Sequence, residues 1–176
     1  GDDVLVPAFT AVPTASAVAA MCARPIAVDV DPYTACLTHE AIEAARTQRT
    51  TAVIVVHLYG YPVDIADIVR SGLIVIEDAA QAGGAFRAAT GSAATAYSFY
   101  PTKNLGGIGD GGAVVTGDAS TAAAVRMLRT HGMTEQYVHE AVSQNFRMSE
   151  LEAAWLRLAL PALDDDNATR RRIAER

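Results

Sequence analysis

An open α/β sheet, mainly parallel and covered by helices on both faces, is the fold class this sequence predicts. Three observations lead there. Short apolar runs recur along the chain, at 4–6, 26–30, 51–56 and 73–78. Stretches with helical composition or a capping residue lie between them. The run Thr51-Ala52-Val53-Ile54-Val55-Val56 is continuous rather than alternating, as expected of a parallel strand buried on both faces.

Val4-Leu5-Val6, stopped by Pro7, reads as a buried strand. The small, apolar stretch 14–22 reads as a helix packed closely on the sheet. Ile26-Ala27-Val28-Asp29-Val30 is the second strand, and Asp29-Val30-Asp31-Pro32 carries turn chemistry at its exit. Thr38 caps a helix through Ala45, with His39 and Glu40 in its first turn. Strand 51–56 leads through His57-Leu58-Tyr59-Gly60-Tyr61-Pro62 to a helix at about 65–71 and a strand at 73–78. No helical pattern is visible over 79–94. Strands follow at 95–99 and 112–116, and their short glycine-rich link allows a reversal, so one antiparallel strand is expected. Asp118 caps a helix reaching about Thr130. Ser149 caps another over 150–160, with Glu152 at its third position completing a capping box, and Pro161 opens a last helix.

The 176 residues suffice for one domain with a substantial core. No apolar run approaches the ~18 residues that a membrane span requires. A net charge of −6 argues against a nucleic-acid surface, which is usually basic. Cys22 and Cys36 have no metal-ligand spacing and read as reduced thiols of a cytoplasmic protein. Gly1-Asp2-Asp3 runs almost at once into a strand, and the arginines at 170–172 stand inside a helical pattern. The expectation is a piece of a longer protein, truncated at both ends.

Lys103 is the only lysine; the other side chains with a permanent positive charge are arginines. Lysine can lose its proton and act as an amine nucleophile, which arginine in practice cannot. In open α/β sheets ligands lie beyond the carboxyl ends of the strands. Asp78 and Ser98 end two expected strands and Lys103 follows on a loop, so the three should converge on one edge. They suit one chemistry. The amine can form a Schiff base with an aldehyde cofactor, the aspartate can hold a pyridinium nitrogen, and the serine with nearby amides can hold phosphate.

Plainer readings stand beside these: Asp78 as a turn residue, Lys103 as a surface lysine. The glycine run 106–112 reads as a turn between strands. It lacks the Lys-Ser/Thr of a phosphate-binding P-loop, and no helical pattern follows it immediately. His57 reads as a structural loop histidine, although it and Tyr59 and Tyr100 lie near the expected site. Arg170, Arg171 and Arg172 read as a solvated helix face.

Several motifs together resemble the DegT/DnrJ-type sugar aminotransferases. They are Glu77-Asp78-Ala79-Ala80-Gln81-Ala82-Gly83-Gly84, Ser98-Phe99-Tyr100-Pro101-Thr102-Lys103-Asn104 and Gly109-Asp110-Gly111-Gly112. Pro7-Ala8-Phe9-Thr10, Val28-Asp29-Val30-Asp31, His57-Leu58-Tyr59-Gly60 and Asn145-Phe146-Arg147-Met148-Ser149-Glu150-Leu151 fit the same family in the same order. The resemblance implies the large domain of a fold-type-I pyridoxal 5'-phosphate enzyme. Residues 1–160 would be part of that domain, and 161–176 a helix leading toward a small C-terminal domain.

It also implies roles. Lys103 would form the Schiff base and shuttle the proton. Asp78 would bond the pyridine nitrogen, Gln81 the phenolic oxygen and Ser98 the phosphate. Asn145, with Arg147 as a rival, would reach the phosphate of a neighbouring subunit, which implies a homodimer with shared sites. Relatives that remove a sugar hydroxyl carry histidine at the lysine position, so Lys103 favours transamination. The amine would pass from an amino acid, commonly glutamate, to a nucleotide-linked keto-sugar, for a deoxyamino sugar of a polysaccharide or natural product. A cyclitol ketone is an alternative acceptor, and a non-catalytic module acting through dimerisation an alternative function. Ala11 departs from the pattern, standing where the family places an aromatic residue against the cofactor ring. The family's Gly-Thr phosphate loop and small domain would lie outside these residues, so the expectation is weak or no catalysis from the 176 residues alone.

Overall fold

The computed structural model describes residues 1–85 and 91–176; part of the span expected to lack a helix, 86–90, lies outside the described residues. The elements run β1 (Asp3–Pro7), α1 (Val12–Ala20), β2 (Arg24–Val28), α2 (His39–Ala45), β3 (Thr50–Val56), α3 (Ala66–Arg70), β4 (Ile74–Asp78), β5 (Ala94–Ser98) and β6 (Gly112–Val115). Then come α4 (Ala119–Leu128), a small hairpin of β7 (Met133–Glu135) and β8 (Val138–His139), α5 (Glu150–Ala159) and α6 (Leu163–Ala174). Among the described residues one six-stranded sheet has the order β2-β1-β3-β4-β5-β6. Its pairs are parallel except β5 with β6, so the expected antiparallel strand is present.

The strands alternate their side chains between two covered faces. Leu5, Val53, Val55 and Val75 join Ile42 of α2 and Ile68 of α3 in one core layer. Val6, Ile54 and Val56 join Val18 of α1 in the other. This two-sided burial is why the β3 sequence is continuously apolar.

Local chemistry sets the ends of the helices. Pro13 stands in the first turn of α1, where its missing N–H costs nothing, and the helix begins two residues earlier than expected. Thr38 Oγ1 accepts from Ala41 N–H at 3.2 Å at the start of α2, and Asp118 caps α4 through Thr121 N–H. Strand β2 is shifted toward the N-terminus of the expected run. It starts at Arg24, which pairs with Asp3. Asp29 and Val30 instead enter a turn closed by Asp31 Oδ1, which accepts from the Tyr33 and Thr34 amides. The β7–β8 hairpin is too short for hydrophobic periodicity to reveal.

Two buried carboxylates brace the sheet. Asp3 is bound by Arg24 at 2.9 and 2.7 Å and by the Thr47 hydroxyl at 3.0 Å. The Arg24 hydrogen bond chiefly holds its pKa at about 2, against the upward push of burial, with help from Thr47. Glu77 Oε2 meets His57 Nε2 at 3.0 Å, and Glu77 Oε1 accepts from Thr95 Oγ1 at 2.9 Å. His57 Nδ1 accepts from Val63 N–H at 3.1 Å, so the proton facing Glu77 is on Nε2. The structural reading of His57 is therefore correct. Burial alone would raise the Glu77 pKa; the hydrogen bonds from His57, Ser92 and Thr95 outweigh it and hold the carboxyl below its usual range.

Two outcomes follow for stability. Asp3 has a folded pKa depressed below the usual 3.8, so its contribution is complete above about pH 4 and is lost as pH falls toward 2. The melting-temperature gap between the parent and Asp3→Asn should stay constant from about pH 5 to 7 and close toward about pH 2. Glu77→Ala strands a buried imidazole N–H and a buried hydroxyl, and should lower the unfolding free energy by about 3 kcal/mol in urea titrations. Glu77→Gln, which can still accept from one of them, should lose less.

Candidate active site

Asp78 and Ser98 are the last residues of the neighbouring strands β4 and β5. The pleat sends Glu77 and Asp78 to opposite faces. Glu77 lies with the layer under α2 and α3, and Asp78 turns toward α1. There Thr14 Oγ1 donates to Asp78 Oδ2 at 3.2 Å, the Thr10 and Thr14 hydroxyls lie 3.0 Å apart, and Ala80 N–H donates to Asp78 Oδ1 at 3.0 Å. The carboxylate is thus oriented by one helix and by its own turn. Sequence reasoning passed over Thr14. The available signal was the four-residue spacing from Thr10, which lets two hydroxyls meet across a helix start.

Lys103 sits on the loop joining β5 to β6 and, with Tyr59, Gln81, Thr102 and Asn104, lines a cavity of about 270 Å³. Gln81 Oε1 accepts from Tyr59 N–H at 2.7 Å. Tyr59 itself has φ 55°, a left-handed conformation that a tyrosine adopts only when its surroundings hold it there. Ser98 Oγ accepts from Tyr100 N–H at 3.3 Å. It borders a second cavity, of about 470 Å³, whose lining includes Leu105, Val115, Leu156 and Leu163.

Lys103 and Gln81 therefore share one cavity, while Asp78 and Ser98 stand at adjoining strand ends. Asn145 lines neither cavity. It is exposed and bridges to Thr130 past the end of α4. Its Oδ1 accepts from the backbone N–H and Nε of Arg147, each at 3.1 Å. Among the described residues no group of three or more His, Cys, Asp or Glu is placed to hold a metal ion.

The glycines after Lys103 allow close packing. A Cβ on Gly106 would lie 2.4 Å from the Pro101 carbonyl oxygen, and one on Gly107 would lie 1.4 Å from Glu152 Oε1. Neither gap admits a side chain. This supports the turn reading and corrects another expectation. Ser149 Oγ does cap α5, accepting from Glu152 N–H at 3.1 Å. The Glu152 side chain does not return to complete a capping box. It is buried against the glycine loop, where Oε2 accepts from Ile108 N–H at 3.0 Å. A buried loop amide needs an acceptor, and the carboxylate supplies it.

The arrangement offers an amine and a side-chain amide in one cavity and, at the strand end three residues before that amide, a carboxylate oriented by two donors. These groups could hold an aldehyde cofactor with a basic ring nitrogen. A sequence profile described as the DegT/DnrJ/EryC1/StrS aminotransferase family matches residues 1–176. The chain is 46% identical to the erythromycin biosynthesis sensory transduction protein EryC1 of Saccharopolyspora erythraea, over 99% of this chain and 50% of that protein. It is 45% identical to the dTDP-3-amino-3,4,6-trideoxy-alpha-D-glucose transaminase of Streptomyces venezuelae, over 99% of this chain and 48% of that one. The crystal structure of S. venezuelae DesV in complex with a ketimine intermediate superposes with a TM-score of 0.88 at 44% identity, covering 93% of this chain and 46% of that one. The chain spans about half the length of the curated relatives it matches. The mainly parallel sheet, the lysine and aspartate motifs at its carboxyl edge and a profile match across residues 1–176 agree: the chain belongs to the DegT/DnrJ/EryC1/StrS aminotransferase family.

Proposed function

We propose that this protein transfers an amine from an amino acid, glutamate in the favoured reading, to a keto-sugar carried on a nucleotide, using pyridoxal 5'-phosphate held at Lys103. The observation that carries the reading is the cavity that the only lysine of the sequence lines together with Gln81, with Asp78 and Ser98 ending neighbouring strands of the sheet. The name of the S. venezuelae relative, a transaminase of a dTDP-linked sugar, supports the acceptor class.

The residues present fit the cofactor. When bound, it supplies an aldehyde carbon to carry the amine and a ring that takes up an electron pair. Lys103 Nζ would hold that carbon and, once displaced by the incoming amine, would move a proton between it and the substrate carbon, in one direction with the donor and in the other with the acceptor. Asp78, steadied by Thr14 and Ala80, would accept the N–H of the ring and keep it protonated. The Gln81 amide would bond the phenolic oxygen, and Ser98 would donate to phosphate.

A homodimer with shared sites completes the reading. Large apolar side chains, among them Tyr59, Tyr61, Tyr100, Tyr137 and Phe146, are exposed on this chain, which accords with a partner subunit covering part of it. With Oδ1 engaged by Arg147, Asn145 has Nδ2 as a donor for phosphate in the neighbouring subunit's site. A cytoplasmic location accords with the absence, among the described residues, of any helix long and apolar enough to cross a membrane.

Borohydride reduction after incubation with pyridoxal phosphate should fix the cofactor on the peptide containing Lys103. Lys103→Ala and Lys103→Arg should show no adduct there and lose at least about 100-fold in transamination rate. A parent protein without the adduct overturns the reading. Thr14→Val, which removes one donor to Asp78 but leaves Lys103 intact, should retain the adduct and lose about tenfold in rate.

A further inference from the structure

The loop carrying Lys103 is held from outside the sheet. Asn104 Nδ2 donates to Asn167 Oδ1 at 3.0 Å, Trp155 Nε1 donates to the Gly106 carbonyl at 3.0 Å, and Ile108 N–H donates to Glu152 at 3.0 Å. Every second residue after the lysine is thus fastened to α5 or α6. Asn167 goes further. It is 5% exposed, and its Nδ2 donates to the Gly83 carbonyl at 3.0 Å. Gly83 lies two residues beyond Gln81, and a Cβ on it would lie 3.5 Å from Asn104 Cβ, so the two segments meet at this amide. Arg170 Nη1 donates to Asn167 Oδ1 at 3.0 Å, so the amide cannot flip without placing its donor against a guanidinium. Gly84, with φ 74°, leaves the room this amide needs, since a Cβ there would lie 2.8 Å from Asn167 Nδ2.

We infer that Asn167 is a positioning residue that sets the spacing of Lys103 and Gln81 across the cavity, one end of its amide holding the lysine loop and the other the glutamine segment. The inference rests on the reading of Lys103 as the reactive amine. Asn167 touches neither reacting atoms nor cofactor. It acts through Asn104 and Gly83, and so couples the geometry of the site to the helix that follows the sheet.

The test compares the parent, Asn167→Ala, Asn167→Asp and a stability control, Ile42→Val, in the layer under α2. Two quantities are read: the pyridoxal phosphate concentration giving half-maximal borohydride adduct at Lys103, and amide hydrogen exchange over 81–85 and 103–108 without cofactor. Asn167→Ala should raise that concentration about tenfold, as expected for the loss of its bonds to both segments, and speed exchange in both. Asn167→Asp keeps an acceptor for Asn104 and Arg170 but sets an oxygen against the Gly83 carbonyl. It should free 81–85 while leaving 103–108 near the parent, and it serves also if the alanine variant fails to fold. Ile42→Val should lower the melting temperature without changing either readout. Half-maximal concentrations for Asn167→Ala no different from Ile42→Val, with exchange unchanged in both segments, overturn the inference while leaving the reading of Lys103 intact. If the parent itself forms no adduct, that reading falls, and exchange decides alone. Joint release of both segments in Asn167→Ala supports the positioning role, and release of one or neither overturns it.

Discussion

The hydrogen bonds of the buried Glu77 carboxylate are the constraint on which the rest of the site depends. Glu77 lies on the middle one of three adjacent strands, bonded to His57 just past the end of β3 and to Thr95 of β5. In register it stands opposite Val55 on one side and Thr95 on the other. A charged group without partners at this depth would cost several kcal/mol, so its two oxygens leave little freedom in how far each strand slides. A slip of one residue would also turn Asp78 away from α1 and Thr14. Thus an interaction on one face of the sheet fixes the position of a chemical group on the other.

A second constraint acts from the far side of the cleft. The sheet supplies Asp78 and Ser98 on rigid strand ends, but Lys103 and Gln81 come from connections, which have no ladder of their own. Helices α5 and α6 supply the missing order through side chains that bond the loop backbone directly. The glycines at 106 and 107 belong to the same device, since only residues without a Cβ let the loop approach Glu152 and the Pro101 carbonyl so closely. Rigid strands and braced loops together carry four of the proposed cofactor groups, all on this one chain.

Much of this was legible in the sequence. Continuous apolar runs announced a parallel sheet because both faces are covered, and the glycine-rich link between two strand patterns announced the antiparallel turn. Lys103, Asp78 and Gln81 stood out through residue type and motif. The roles of Glu152, Asn167 and Thr14 did not. Glu152 satisfies a local rule, the capping box, and the tertiary demand of the Ile108 amide overrides it. Asn167 lies in a helix of aspartates and arginines and looks like one more surface polar residue; only the packing of α6 on 83–84 buries it. His57 and Glu77 sit 20 positions apart and meet only through strand register.

The arginine bias of the chain has a chemical consequence of its own. Aldehydes condense with unprotonated amines and largely ignore guanidinium groups. A surface that carries its positive charge on arginine offers an aldehyde few decoys, so a carbonyl-bearing molecule can sample most of this protein without becoming trapped. Selectivity for the cleft is therefore written partly into what the rest of the surface lacks: 176 residues present one side-chain amine, and it faces the cavity.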